Sequence, residues 1–233
     1  MNFVWHNWFS WTPAAGCYAL GYAIGLVAWI VMARRRKMAT SGMAAIVAAA
    51  LIGGLIGGHA AQWIAAGSDG KSVLGALAGG YIAAILYKRF LGIRRPTGDL
   101  FAVALSAGEA VGRWGCYFAG CCYGKPTHEP WAIWQHGAWR HPSQLYLSAA
   151  NALILVVLLW CDRKRPPENT LFFLQGVLYC IARFTIEFFR EGNAVALGLT
   201  AAQWACLAGL FFFSVKLQRL LYPARLAQAV GGA

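Results

Sequence analysis

Apolar residues fall in seven long blocks, near 16–33, 43–66, 72–91, 99–119, 143–160, 170–189 and 199–217, separated mostly by short polar gaps. Each block approaches the roughly 20 apolar residues needed to cross a hydrocarbon core. A spanning segment must satisfy its own backbone polar groups, so each block is expected to be a helix. The pattern predicts an all-α, polytopic membrane helix bundle of about seven transmembrane helices, with 1–233 forming a single transmembrane domain. The longest gap, 120–142, is expected to be a loop. No internal repeat or domain boundary interrupts the pattern.

Charge gives the bundle a direction. Arg34, Arg35, Arg36 and Lys37 follow the first block, Lys88, Arg89, Arg94 and Arg95 surround the end of the third, Arg163, Lys164 and Arg165 follow the fifth, and Lys216, Arg219 and Arg225 come after or at the end of the last. The opposite set of gaps holds only Lys71, Lys125, Arg140 and Arg190. Positive residues gather on the cytoplasmic side of a membrane protein. The asymmetry therefore predicts an outward N-terminus, a cytoplasmic C-terminus, an outward-facing 120–142 loop and a place in a bacterial inner membrane. It also accounts for the net charge of +12 without nucleic acid. Phe3, Trp5, Trp8, Phe9 and Trp11, and later Trp131, Trp134 and Trp139 in the long loop, suit the headgroup plane. Glycines at 53, 54, 57, 58, 75, 79 and 80 recur at spacings that let helices approach closely.

Two arginines fall inside blocks, where charge is costly. Each has an acid four residues away: Glu109 with Arg113, and Arg183 with Glu187. That spacing puts both partners on one helix face. The pairs serve either as structural ion pairs or as two planar donor forks that converge on one anion, such as a lipid phosphate. The odd count of seven cysteines, spread over apolar blocks, is not a secreted disulfide framework. Only Cys116, Cys121 and Cys122 cluster, and their spacing is neither a redox CxxC nor a paired-CxxC zinc pattern. They are small buried residues, working thiols near Arg113, or a disulfide in which Cys116 pairs with one of the other two. The histidines show no metal spacing. The sequence therefore predicts no metal and no cofactor.

Three strings carry a resemblance: Gly112-Arg113-Trp114-Gly115, then RHPSQLY at 140–146, then YCIARFTIEFFRE at 179–191 followed by Leu199-Thr200 and Gln203-Trp204. In order and spacing they resemble the prolipoprotein diacylglyceryl transferase family, from about Tyr18 to Gln203. The resemblance implies seven transmembrane helices with an outward N-terminus. It also implies transfer of diacylglyceryl from phosphatidylglycerol to a cysteine thiol of a lipoprotein precursor, with release of glycerol phosphate. The partners it implies are a phospholipid and a lipoprotein precursor or another thiol acceptor. Arg113 and Arg183 match arginines at the phosphate, Glu187 an acid one turn after the second, and Tyr18 a tyrosine early in the first span.

The chain departs from the family pattern at several positions. Two asparagines and a glutamate are expected after Gly-Arg, where this chain has Cys116, Gly120 and Cys121. A histidine is expected at Leu74, an arginine at His59 and a glutamate at Leu147, and Glu109 stands where an apolar residue is usual. The candidate catalytic set is Arg113, Arg183, Glu187, Tyr18, Cys116, Cys121, Cys122 and His59. The candidate substrate-binding set is Arg113, Arg183, Glu109, His141, Gln144 and Tyr146. His141 is also suited to shaping a turn with Pro142. Three readings follow: a diacylglyceryl transferase, a lipid-modifying enzyme with a Cys121 or Cys122 nucleophile, or a non-catalytic lipid-binding protein.

Overall fold

The computed structural model describes residues 12–38, 41–66 and 73–231. The aromatics Phe3, Trp5, Trp8, Phe9 and Trp11 and the basic Lys71 lie outside the described residues. Seven helices are present among them: α1 (Pro13–Arg35), α2 (Ser41–Ala66), α3 (Val73–Phe90), α4 (Gly98–Phe118), α5 (Ser143–Asp162), α6 (Thr170–Glu187) and α7 (Ala201–Gly231). Five of them, α1, α2, α5, α6 and α7, are long and apolar enough to cross a membrane. The other two carry more charge: α4 holds Asp99, Glu109 and Arg113, and α3 ends in Lys88-Arg89-Phe90. The expected loop contains a small antiparallel hairpin, β1 (Ile133–Gln135) and β2 (Ala138–Arg140), with Trp134 opposite Trp139. His136 and Gly137 turn it with positive φ.

The chain forms two compact units. Among the described residues, one falls within Ala33–Pro96; the other joins those up to Met32 with those from Thr97 onward. In the first, α2 and α3 meet along the predicted glycine stripe. A side chain at Gly57 would fall 2.8 Å from the Gly79 Cα, and one at Gly80 would fall 2.9 Å from the Ala50 carbonyl oxygen. A Cβ on Gly79 would collide with the Gly53 carbonyl. Small residues let the two backbones touch, which supplies packing where lipid removes the hydrophobic drive.

In the larger unit, α1 and α4 use the same device. A Cβ on Gly21 would lie 2.8 Å from the Gly108 oxygen, and one on Gly115 would lie 2.6 Å from the Tyr18 ring. The start of α4 in turn fixes α6. Asp99 is buried, and its two carboxylate oxygens accept from the backbone N–H of Asn169 and of Phe172, each at 3.0 Å. These donors open α6, where no earlier helical carbonyl serves them and where negative charge is favoured. Ser148 on α5 donates to the Ala110 carbonyl on α4. Many large apolar side chains on these helices face outward, among them Leu20, Leu153, Val156 and Phe211.

Gly79→Val should separate α2 from α3. The clash is with backbone and has no flexible atom to yield, so the expected cost is about 1–3 kcal/mol. A lower midpoint of thermal aggregation in detergent checks this, and Gly16→Ala, in open space on α1, serves as the comparison.

Candidate functional site

Arg113 lies near the end of α4. Its Nη2 donates to Glu109 Oε2 at 3.1 Å, and the same oxygen accepts from Asn151 Nδ2 of α5 at 3.2 Å. Asn151 is buried and also donates to the Leu147 carbonyl at 3.0 Å. The i, i+4 pair seen in the sequence is thus braced by a second helix, α5.

The second pair, at the end of α6, is more enclosed. Glu187 is buried and accepts from Arg183 on its own helix. Arg190 approaches the same Oε2 at 3.7 Å, and the Thr200 hydroxyl donates to Oε1 at 3.1 Å. Thr200 is held by Gln203, whose Oε1 accepts from the Thr200 backbone N–H at 2.9 Å. One carboxylate therefore serves two guanidinium groups. Arg190 Nε and Gln203 Nε2 are buried without a hydrogen-bond partner. Tyr179, one turn before Arg183, stands within electrostatic reach of Glu109, Arg113 and Arg183, and so feels both pairs.

The cysteines form the third component. The sulfurs of Cys116, Cys121 and Cys122 all lie within 4.8 Å of one another, and every described cysteine is a free thiol. Tyr18 on α1 donates to Cys116 Sγ at 3.5 Å and lies 4.0 Å from Cys121 Sγ. Arg113 acts on Cys116 and Arg190 on Cys122. A hydrogen bond from Cys116 holds the Cys122 thiol down at about 6, with Arg190 adding to the effect against the upward push of burial.

The backbone of this loop is clamped from several sides. Cys122 has φ of 60°, which costs a non-glycine residue energy. Its carbonyl accepts from the Ser143 hydroxyl at 2.7 Å, and the Cys121 carbonyl accepts from Gln144 Nε2 at 2.8 Å. Gln144 is fully buried and also donates to Gln135 at 3.2 Å. Further along, Gly124 N–H donates to the His141 carbonyl at 3.1 Å and Lys125 N–H to the Phe189 carbonyl at 2.8 Å. Arg140 donates to the Gln135 and Gly124 carbonyls at 3.1 and 3.2 Å, pairs with Glu191 and covers the Tyr123 ring at 4.8 Å. His141 Nδ1 lies 3.1 Å from the Tyr146 hydroxyl, which accepts from Trp131 Nε1 at 2.7 Å. The RHPSQLY string thus knits the loop to α5 and to the end of α6.

The structure brings together Tyr18, Glu109, Arg113, Cys116, Cys121, Cys122, Arg183 and Glu187 in one region of the larger unit. His141, Gln144 and Tyr146 stand beside it, hydrogen-bonded to the loop or to one another, while Gln144 Oε1 is buried without a partner. His59 lies on α2, in the smaller unit, and is exposed. The sequence reading missed Asn151, Tyr179, Arg190 and Thr200. Tyr179, Arg190 and Thr200 were present in the quoted strings, but only folding shows that Arg190 and Thr200 share Glu187.

A bundle of apolar helices that shelters arginine–carboxylate pairs defines a polytopic helical protein of membrane character. Residues 12–217 match the prolipoprotein diacylglyceryl transferase family, and the chain belongs to it. A relative from Methylococcus capsulatus is 31% identical over 90% of this chain and 92% of its own length. Others match in part: one from Clostridium tetani is 30% identical over 63% of this chain, and one from Aromatoleum aromaticum is 35% identical over 64% of it. The chain spans 64% and 61% of the lengths of those two relatives. All three bear the name phosphatidylglycerol–prolipoprotein diacylglyceryl transferase.

Glu187→Leu should be among the most damaging single changes in the chain, because it strands Arg183 in a buried position. Breaking a buried pair costs about 3–5 kcal/mol. Glu191→Ala, whose carboxylate is half exposed, should cost far less. Thermal unfolding of the two variants in detergent checks the order.

Proposed function

We propose that this chain moves diacylglyceryl from phosphatidylglycerol to a thiol acceptor, a cysteine of a lipoprotein precursor, in the inner membrane. The observation that carries the reading is that Arg113 and Arg183, from different helices, both act on Tyr179, so two guanidinium groups share one neighbourhood. Arg113, Arg183 and Arg190 against Glu109 and Glu187 leave one surplus positive charge for a phosphodiester. The unpartnered donors Arg190 Nε and Gln203 Nε2 add hydrogen-bonding capacity beside it. Membership of the family and the names of its relatives support the same conclusion.

In this mechanism the acceptor sulfur attacks the glycerol carbon that bears the phosphate. The carbon–oxygen bond breaks, and its electron pair leaves on the oxygen of glycerol phosphate. Charge grows on the phosphate as that bond breaks. Guanidinium groups already held by Glu109 and Glu187 meet it with little reorganisation. Glu187 and Glu109 orient the arginines, and the lipid tails lie along the apolar helix faces.

The test is a transfer assay with purified protein, phosphatidylglycerol labelled in the diacylglyceryl group, and a precursor peptide with a single cysteine. The expected product is thioether-linked label on the peptide. Arg113→Ala and Arg183→Ala should each lower the rate by about 10²–10³. Binding of the lipid without any label on the peptide would favour a non-catalytic lipid-binding role instead.

The orientation follows the basic gaps: seven spans, N-terminus outside, C-terminus cytoplasmic, one transmembrane domain. The exposed Trp131, Trp134 and Trp139 lie at the outer headgroup plane. Alkaline phosphatase inserted after Thr127 should be active, and the same reporter fused after Tyr222 inactive. The reverse pattern would invert the topology.

A further inference from the structure

The acceptor thiol must lose its proton before it attacks, because the thiolate is the nucleophile. The carboxylates of the site are already engaged, Glu109 by Arg113 and Asn151, and Glu187 by Arg183, Arg190 and Thr200. The groups that flank the cysteine sulfurs are Tyr18, Arg113 and Arg190. None of them is a ready base at neutral pH. The cysteines are also poor covalent carriers for this group. Diacylglyceryl on a cysteine is a thioether, and its carbon–sulfur bond has no good leaving group for a second transfer.

We propose that Cys116, Cys121 and Cys122 bind a thiophilic divalent metal ion, zinc, and leave its fourth position for the acceptor sulfur. This rests on the transferase reading above and names an activator for the acceptor thiol. The linear spacing argues against a metal, but the turn at Gly120–Cys122 overrides it by folding three sulfurs to within 4.8 Å of one another. Zinc–sulfur bonds of about 2.3 Å in a tetrahedron require sulfurs roughly 3.8 Å apart, so a small inward shift closes the site. The present contacts of the sulfurs are weak, at 3.5 to 4.0 Å, and readily exchanged. Soft thiolates select zinc over magnesium or calcium. Three protein ligands with an open position are the pattern of a reactive zinc site.

Zinc with three thiolates carries one negative charge, and a bound acceptor thiolate makes two. Arg113 and Arg190, each already near a carboxylate, stand beside the cluster and offset part of that charge. The acceptor thiol gives its proton to water on coordination. Its sulfur then forms the bond to the glycerol carbon as glycerol phosphate departs with the electron pair, and the metal keeps its charge throughout.

The test uses the full-length protein in nanodiscs, stripped with a chelator under reducing conditions and titrated with cobalt(II). One ion per chain should bind, with intense thiolate-to-cobalt absorption and tetrahedral visible bands that zinc displaces. Cys116→Ser, Cys121→Ser and Cys122→Ser should each weaken those bands, while Arg183→Lys keeps them and loses transfer. Stripping should abolish transfer to the peptide, and zinc should restore it. Absence of the cobalt bands, or transfer unaffected by stripping, would overturn the metal site and leave the transferase reading standing. Full cobalt bands with no transfer by the zinc-loaded wild type would overturn the transferase reading and the activating role with it. A Cys116–Cys122 disulfide in protein taken directly from cells would overturn the site independently.

Discussion

A guanidinium inside an apolar helix bundle has to bring its counter-charge with it. An isolated charge there costs several kcal/mol, and an arginine cannot escape by losing its proton. This constraint explains why Arg113 and Arg183 each have a carboxylate one turn away on their own helix. It also explains why the carboxylates are themselves held from elsewhere, Glu109 by Asn151 of α5 and Glu187 by Thr200 just before α7. The polar groups form two small networks that link four helices. Helices α4, α5, α6 and α7 meet where the charge is, because the charge leaves them no cheaper arrangement.

Close helix contact makes those networks possible. The glycines of α1 and α4 let Tyr18 lie flat against Gly115, which carries its hydroxyl to Cys116. Asp99 fixes the start of α6 and therefore the rotation that points Arg183 and Glu187 in one direction. At the other end of α6, the strand-like pairing of Gly124 with Arg190 holds the cysteine loop against the helix end. A strained residue such as Cys122 persists only where its neighbours over-determine it, and Ser143, Gln144 and the Phe189 carbonyl do so here.

The seven helices were legible because each falls on a largely apolar run, five of them long and apolar enough to cross a membrane, and the ion pairs because i, i+4 is a property of a single helix. The glycine stripe was legible for the same reason. Contacts between elements were not. Arg190 reads as one more basic residue in an outer gap, and nothing local says that it shares Glu187 with Arg183. The RHPSQLY string looked like a set of substrate contacts because it is polar and distinctive. In the fold its Arg140, His141, Gln144 and Tyr146 satisfy one another and the loop. The hairpin was missed because β1 and β2 have three residues each, too few for an alternating pattern to stand out. The convergence of the three sulfurs was hidden most completely, since a positive-φ turn can bring any two spacings together.

The proposed reaction asks one site to receive negative charge at two ends. The incoming sulfur must be a thiolate, and the departing phosphate gains a charge as its ester bond breaks. A site with only arginines would stabilise the leaving group but would also hold the thiolate too well, since a bare anion fixed beside a guanidinium loses nucleophilicity. Separate handling of the two charges removes the conflict. Arg113 and Arg183, tied to Glu109 and Glu187, face the phosphate through the region of Tyr179. The sulfur cluster sits toward Tyr18 and Arg190 on the loop side. A soft metal there binds the thiolate without holding it through hydrogen bonds, and it keeps the sulfur deprotonated at neutral pH. The same division accounts for two otherwise unrelated features of the sequence: two arginines that each have a carboxylate one turn away, and the cysteines that follow Gly112-Arg113.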